Sequence, residues 1–130
     1  MTDKELIMQA VKVREQAYAP YSRFRVGAAL LASDGKVYTG CNVENASFGI
    51  TCCAERTALF KAVSEGKRTF TAIAVVGGAD SAPDTDCFPC GVCRQALCEF
   101  CGGDFRVITG TVENFSVFTL EELMPHSFRM

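Results

Sequence analysis

Hydrophobic and polar positions along the chain change period several times, which predicts an alternation of helices and strands. A capping pattern, Thr2 followed by Glu5, opens a segment whose apolar residues recur every three or four positions. This predicts a first helix to about residue 16, and Pro20 ends it because proline cannot continue a helix.

Five short apolar runs predict strands. The first two flank the turn dipeptide Asp34-Gly35 and predict a hairpin. The third is apolar throughout, as expected for a strand that is covered on both faces of its sheet. The five runs cover residues 25–32, 37–41, 71–78, 105–110 and 115–119.

Three further segments predict helices. Residues 53–66 are good helix formers and end at Gly66, a typical C-terminal stop. Residues 89–103 begin with proline and end with two glycines, and residues 119–123 carry a second capping box. Polar residues predict an exposed loop at 79–88. The order predicts one domain, residues 1–130, with the α/β fold of a three-layer α-β-α sandwich around a mixed five-stranded sheet.

Composition narrows the classes of protein that remain. With 130 residues, 48% hydrophobic and 22% charged, the chain can bury a core of its own. Its net charge is −2 and it shows no basic stripe, which argues against nucleic acid as a partner. A charged N-terminus and the lack of a long apolar run predict a cytosolic protein with no membrane partner. In that reducing compartment, eight cysteines are expected to be ligands or buried thiols.

Three of the cysteines are placed to hold a metal. Cys90 and Cys93 lie three positions apart at a predicted helix N-terminus, where the partial positive charge favours thiolates. Cys53 begins another predicted helix in the same way. Three thiolates at two abutting helix N-termini would leave the fourth position of a zinc ion open, as in catalytic sites.

Other interpretations of these cysteines have to be weighed. A C-x-x-C pair alone is equally typical of a redox or structural zinc motif. Cys98 and Cys101 are the candidates to complete a four-cysteine site, but Cys93 and Cys98 are separated by about 7.5 Å along one helix, too far to share an ion. Both later cysteines, like Cys41 and Cys87, are therefore predicted to be packing residues.

Glu55 favours the catalytic interpretation. It lies two residues after Cys53, where a carboxylate points into the site without binding the ion. Such a group can take a proton from a metal-activated water and pass it on, whereas a structural zinc needs no carboxylate. The neighbouring Cys52 is expected to face about 100° away from Cys53 on the helical wheel and to serve only in packing.

Four segments taken together resemble the small tetrameric cytidine deaminases, within the zinc nucleoside and nucleotide deaminase family. They are Y-A-P-Y-S-R-F-R-V-G-A-A-L at 18–30, G-C-N-V-E-N-A-S at 40–47, C-A-E-R-T-A at 53–58 and P-C-G-V-C-R-Q at 89–95. The resemblance implies hydrolytic deamination of cytidine and deoxycytidine to uridine and deoxyuridine, with release of ammonia, in pyrimidine salvage. It also implies a cytoplasmic homotetramer with shared active sites.

The resemblance further implies one zinc ion per chain, held by Cys53, Cys90 and Cys93, with Glu55 as the group that moves protons. Three thiolates make a negative centre that weakens the ion as a Lewis acid. Arg56 is expected to compensate by donating hydrogen bonds to the ligand sulfurs, and Gln95 to support the same surroundings.

Substrate-binding residues also follow from the resemblance. Asn42 and Glu44 match the positions that hold the ribose hydroxyls, a task suited to an amide and a carboxylate. Phe24 matches an aromatic that packs on the pyrimidine or the sugar, and Ala54 would offer backbone groups to the pyrimidine edge. Phe128 matches a phenylalanine that a neighbouring subunit contributes to stack on the base.

One departure and three alternatives accompany this interpretation. Position 48 is Phe where family members often carry Tyr, which removes a hydroxyl near the expected subunit interface. A deaminase of another cytosine nucleoside such as blasticidin S shares the zinc motifs, although the segment N-V-E-N favours cytidine. An editing deaminase is disfavoured by the acidic balance and by Cys53 as first ligand in place of His. A non-catalytic zinc or redox module leaves Glu55 unexplained.

Overall fold

The structure is a computed structural model that describes residues 1–79, 83 and 86–130. Half of the loop predicted at 79–88, residues 80–82, 84 and 85, therefore lies outside the described residues. The elements, in chain order, are α1 (Asp3–Arg14), β1 (Arg25–Ala32), β2 (Val37–Cys41), α2 (Ala54–Ser64), β3 (Phe70–Gly78), α3 (Gly91–Phe100), β4 (Arg106–Gly110), β5 (Phe115–Thr119) and α4 (Leu120–Leu123).

The five strands form one mixed sheet in the order β2-β1-β3-β4-β5. The pairs β1–β2, β1–β3 and β4–β5 are antiparallel, whereas β3 and β4 run parallel. The parallel pair needs a crossover connection, which α3 supplies. The predicted order of elements and the predicted mixed five-stranded sheet are confirmed.

Helices cover both faces of the sheet, as the sequence predicts. On one face, α1 buries Leu6 and Ile7 against residues such as Val76 of β3. On the other face, α2 and α3 bury residues such as Leu59 and Leu97 against alternate positions of the same strands. Since β3 supplies buried side chains to both clusters, its uninterrupted apolar run follows from its central position.

Helix boundaries differ from the prediction by one to three residues. Cys53 is the N-cap of α2 rather than its first residue, and Cys90, not Pro89, caps α3. The last helical residue of α3 is Phe100, so this helix ends before the two glycines, and α1 ends at Arg14 rather than near residue 16. An N-cap residue has extended backbone angles while its carbonyl already accepts the first helical hydrogen bond, a distinction that periodicity does not reveal.

Two glycines show why the sequence folds as it does around α2. Gly66 has a φ of 93° just past the end of this helix, which confirms its predicted role as a stop. Gly40 in β2 lies directly beneath the first turns of α2. A Cβ atom there would approach the backbone nitrogen of Ala58 to 2.5 Å and the carbonyl oxygen of Ala54 to 2.7 Å.

We therefore expect Gly40→Ala to lower the free energy of unfolding by more than the roughly 1–3 kcal/mol typical of overpacked sites, because the crowded atoms belong to backbone. Gly49→Ala is the matched control, since nothing lies within 4 Å of a Cβ atom at that position. Urea denaturation of both variants measures the difference. Equal stability of the two variants would contradict the close approach of α2 to β2.

In the part of the chain that the structure describes, no helix is long and apolar enough to cross a membrane.

Candidate active site

Three thiols from two helix N-termini converge beside the sheet. Cys53 caps α2, Cys90 caps α3, and Cys93 lies in the first turn of α3. Their Sγ atoms all lie within 4.8 Å of one another, and those of Cys53 and Cys90 are 3.8 Å apart. Both helices direct the positive ends of their dipoles towards this cluster, which favours thiolates there.

The donor set fits a zinc ion. Two sulfurs bound to a tetrahedral zinc at 2.3 Å lie roughly 3.8 Å apart, which is the separation of Cys53 and Cys90. Among the described residues, one group of three or more potential metal-binding side chains has its ligand atoms within 4.8 Å of one another. It consists of Cys53, Cys90 and Cys93. Three soft thiolates would hold zinc and leave its fourth position to water or substrate.

Arg56 lies against the thiol cluster. Its Nη2 atom donates to Cys53 Sγ at 3.5 Å and to the carbonyl oxygen of Thr51 at 3.5 Å. Its Nε atom is buried and has no hydrogen-bond partner among the described residues. A hydrogen bond from Cys93 and then the bond from Arg56 hold the pKa of Cys53 well below its ordinary value. The predicted contact between Arg56 and the sulfur of Cys53 is thus present.

Glu55 is buried next to the same cluster, with only 4% of its surface exposed. Burial raises the pKa of its carboxyl to about 7, and the nearby charge of Cys53 acts in the same direction. A carboxyl group in such a place exists in both protonation states near neutral pH. It can therefore both accept and donate a proton.

Comparison with known proteins agrees with this geometry. Residues 1–111 match the family described as the cytidine and deoxycytidylate deaminase zinc-binding region. The chain belongs to this family. The family, the fold and the class of enzyme that the sequence motifs predict are therefore confirmed.

Relatives of the family cover nearly the whole chain. A cytidine deaminase of Sporosarcina psychrophila is 49% identical over 98% of this chain and 92% of its own length. A cytidine deaminase of Halalkalibacterium halodurans is 52% identical over 98% and 95%. The crystal structure of cytidine deaminase from Burkholderia pseudomallei superposes with a TM-score of 0.89 at 47% identity, covering 98% of this chain and 100% of that one.

Cys52, which immediately precedes Cys53, does not join the cluster of three thiols. Cys52 pairs through its backbone with Val43, and its Sγ accepts a hydrogen bond from Thr57 Oγ1 at 3.5 Å. Cys98 and Cys101 are 2% and 5% exposed within the core that packs on α3. The structure thus places all three as the packing interpretation expects.

The two residues expected to hold ribose are both fixed by backbone groups. Asn42 accepts from the backbone nitrogen of Val26 and donates to the carbonyl oxygen of Phe24, each at 2.9 Å. The carboxylate of Glu44 accepts from the backbone nitrogens of Tyr21 and Ser22, at 2.9 and 3.1 Å, and from the Ser22 hydroxyl. These bonds, the hydroxyl's first, lower the pKa of Glu44 and keep it an ionised acceptor.

Glu44 also lines a surface cleft of about 410 Å³ together with the Phe48 ring. Phe24 immediately precedes β1, its ring lies close to Gly77, and 37% of its surface is exposed. Ala54 is the first residue of α2 and is fully buried.

Gln95 and Phe128 meet each other. The Gln95 side chain donates from Nε2 to the carbonyl oxygen of Phe128 at 3.0 Å, so it anchors the C-terminal segment. The Phe128 ring itself is 68% exposed. Sequence reasoning did not assign roles to Ser22, which donates to Glu44, or to Arg94, which donates to the carbonyl oxygen of Pro89 beside Cys90. Both lie inside the quoted motifs, and that position was the available signal.

Proposed function

We propose that this chain catalyses the hydrolytic deamination of cytidine and deoxycytidine to uridine and deoxyuridine, with release of ammonia. The observation that carries the proposal is the gathering of Cys53, Cys90 and Cys93 beside the buried carboxyl of Glu55. A structural zinc site would need no such proton carrier. The names of the relatives, all cytidine deaminases, support the same substrate class.

The chemistry follows from the residues present. Cys53, Cys90 and Cys93 hold one zinc per chain, which supplies Lewis acidity to the attacking water when bound. Glu55 takes one proton from that water as its oxygen attacks C4 of the pyrimidine. Glu55 passes that proton to N3, then takes the second proton from the hydroxyl on C4 and gives it to the departing amino group. C4 thereby becomes a carbonyl, and water and cytidine become uridine and ammonia.

Substrate recognition is assigned to the residues at the opening of the site. Asn42 and Glu44 hold the sugar hydroxyls, and their existing hydrogen bonds to backbone pre-orient the remaining lone pairs and N–H. Phe24 packs on the pyrimidine or sugar, and the backbone of Ala54 meets the pyrimidine edge. We also assign a supporting role near the zinc ligands to Gln95, through the chain segment that it anchors.

Arg56→Gln is expected to lower kcat for cytidine by about 10–100-fold, with a smaller effect on KM. The reason is that the hydrogen bond to Cys53 Sγ withdraws charge from a thiolate and strengthens the ion as a Lewis acid. Steady-state kinetics and zinc content on one preparation measure the effect. Arg68→Gln is the matched control on a loop after the same helix, where the guanidinium donates to carbonyl oxygens of Val63 and Lys67. Equal kinetics in both variants would show that Arg56 does not support catalysis.

A homotetramer with shared active sites is part of the proposal. Phe128 is exposed while its carbonyl is anchored by Gln95, which suits a ring that enters a neighbouring subunit. We expect Phe128→Ala to raise KM for cytidine and to leave zinc content unchanged, because stacking on a base contributes roughly 1–3 kcal/mol. Sedimentation at the assay concentration is the accompanying measurement, and a fully active monomer would contradict the shared site.

The deciding experiment follows the loss of ultraviolet absorbance of cytidine together with zinc stoichiometry. One zinc per chain with turnover of cytidine supports the proposal. We assign this activity to pyrimidine salvage in the cytoplasm. Turnover of blasticidin S but not of cytidine would show that the enzyme deaminates another cytosine nucleoside instead of cytidine. Zinc without turnover of any cytosine nucleoside would indicate a non-catalytic zinc module.

A further inference from the structure

Arg94 has no part in the chemistry described above, yet its side chain joins two distant parts of the chain. Its Nε atom donates to the carbonyl oxygen of Pro89 at 2.7 Å, and its Nη1 atom donates to the carbonyl oxygen of Leu123 at 2.6 Å. The guanidinium is planar and rigid, so its two donors hold the two carbonyl oxygens at fixed positions relative to each other.

The first of these contacts bears on the zinc ligands. Pro89 immediately precedes Cys90, so the direction of its carbonyl fixes the peptide plane from which the Cys90 side chain departs. The backbone nitrogen of Arg94 also donates to the carbonyl oxygen of Cys90, at 2.9 Å. Arg94 therefore holds both peptide groups that flank Cys90, one with its main chain and one with its side chain.

The second contact supplies a fixed point. Leu123 is the last residue of α4, and the last carbonyls of a helix lack partners within it. The opposite end of α4 is closed by a capping box between Thr119 and Glu122 directly after β5. Through Leu123, the turn that carries Cys90 is thus tied to an element continuous with the sheet.

We propose that Arg94 is a positioning residue for the metal ligands, which makes the Cys90 and Cys93 thiols converge by holding the Pro89–Cys90 turn against α4. The proposal rests on zinc binding by the three thiols, as assigned under the proposed function. Groups that orient metal ligands typically contribute 10–100-fold to metal affinity, although they never touch the ion.

Arg129 provides a control of the same chemistry. Its Nη1 atom also donates to two backbone carbonyls of the α3 region, those of Cys98 at 2.6 Å and Cys101 at 3.1 Å. These lie at the opposite end of the helix from the zinc ligands. If arginine bonds merely stabilise α3, then loss of either arginine affects the site alike.

The experiment measures the rate at which zinc-loaded protein releases its metal to an excess of a coloured chelator. We expect Arg94→Gln to release zinc about 10–100-fold faster than the unchanged protein, Arg94→Lys to fall between the two, and Arg129→Gln to release zinc at nearly the original rate. Thermal unfolding of each variant accompanies the measurement. Partial rescue by lysine is expected because an ammonium group restores a donor but not the fork.

The possible results separate the two proposals. If the unchanged protein holds zinc and deaminates cytidine but Arg94→Gln releases zinc at the original rate, the positioning role is refuted and the proposed function stands. If Arg129→Gln speeds release as much as Arg94→Gln, the effect is general stability of α3, and the positioning role is likewise refuted. If the unchanged protein holds no zinc, the proposed function itself fails.

Discussion

Glu55→Ala is expected to reduce turnover of cytidine by several orders of magnitude while the protein keeps its zinc and its fold. A positioned general acid-base typically contributes roughly 10²–10⁴-fold, and Glu55 is assigned every proton transfer of the reaction. The proposed ligands are the thiols of Cys53, Cys90 and Cys93, so zinc content should not depend on this carboxyl. Near-normal turnover would refute the mechanism.

Glu55→Gln is the matched variant, because it preserves the shape of the protonated side chain. Since the folded-state pKa is raised to about 7 from 4.5, the carboxyl's favourable contribution is complete below about pH 4.5 and is lost as the pH rises through 7. The glutamine variant has no such loss. We therefore expect it to unfold at the same or a higher temperature than the unchanged metal-free protein at pH 8, so inactivity cannot be attributed to misfolding. Thermal unfolding at pH 4.5 and pH 8 measures this.

Cys53→Ser should abolish tight zinc binding, whereas Cys52→Ser should retain one zinc per chain. Cys53 Sγ lies 3.8 Å from Cys90 Sγ, so its loss leaves two thiolates where a zinc site needs at least three protein ligands. Cys52 interacts instead with Thr57 Oγ1, a contact that a serine hydroxyl can reproduce. Metal analysis of the purified variants measures both effects.

Cys52→Ser and Cys53→Ser serve as controls for each other, because the two variants make the same chemical change at adjacent positions. Zinc retained in Cys53→Ser and lost in Cys52→Ser would show that the register of the site is wrong. The assignment of Glu55 would then fall as well, since it depends on a spacing of two residues from the ligand.

The sequence was sufficient to predict the fold and the metal cluster for a physical reason. Strand periods, capping boxes and the stop at Gly66 are local signals, and the structure follows them. Cys90 and Cys93 were found from their spacing at a predicted helix start. Cys53 was joined to them because it stands at another predicted helix start and because the family resemblance implies the same site. The limits of each helix were less accurate, because cap residues differ from helical ones in backbone angle rather than in composition.

Contacts between distant segments could not be predicted from the sequence. The bonds of Asn42 to the backbone on either side of Arg25, and of Gln95 to the Phe128 carbonyl, depend on tertiary position that no local pattern encodes. Arg94 is the clearest case, because its partner Leu123 lies 29 residues away. Burial of Glu55, which sets its pKa, likewise emerges only when α2 packs on the sheet.

The separation of the ligands along the chain has a consequence for biosynthesis. Cys53 and Cys90 are 37 positions apart, and α2 and β3 lie between them. In a chain emerging from the ribosome, the thiol of Cys53 is therefore exposed well before Cys90 and Cys93 are made. Because synthesis proceeds at roughly 5–20 residues per second, Cys53 waits about 2–8 seconds for its partners. Under the proposed function, all three zinc ligands are therefore present only after β3 has been synthesised.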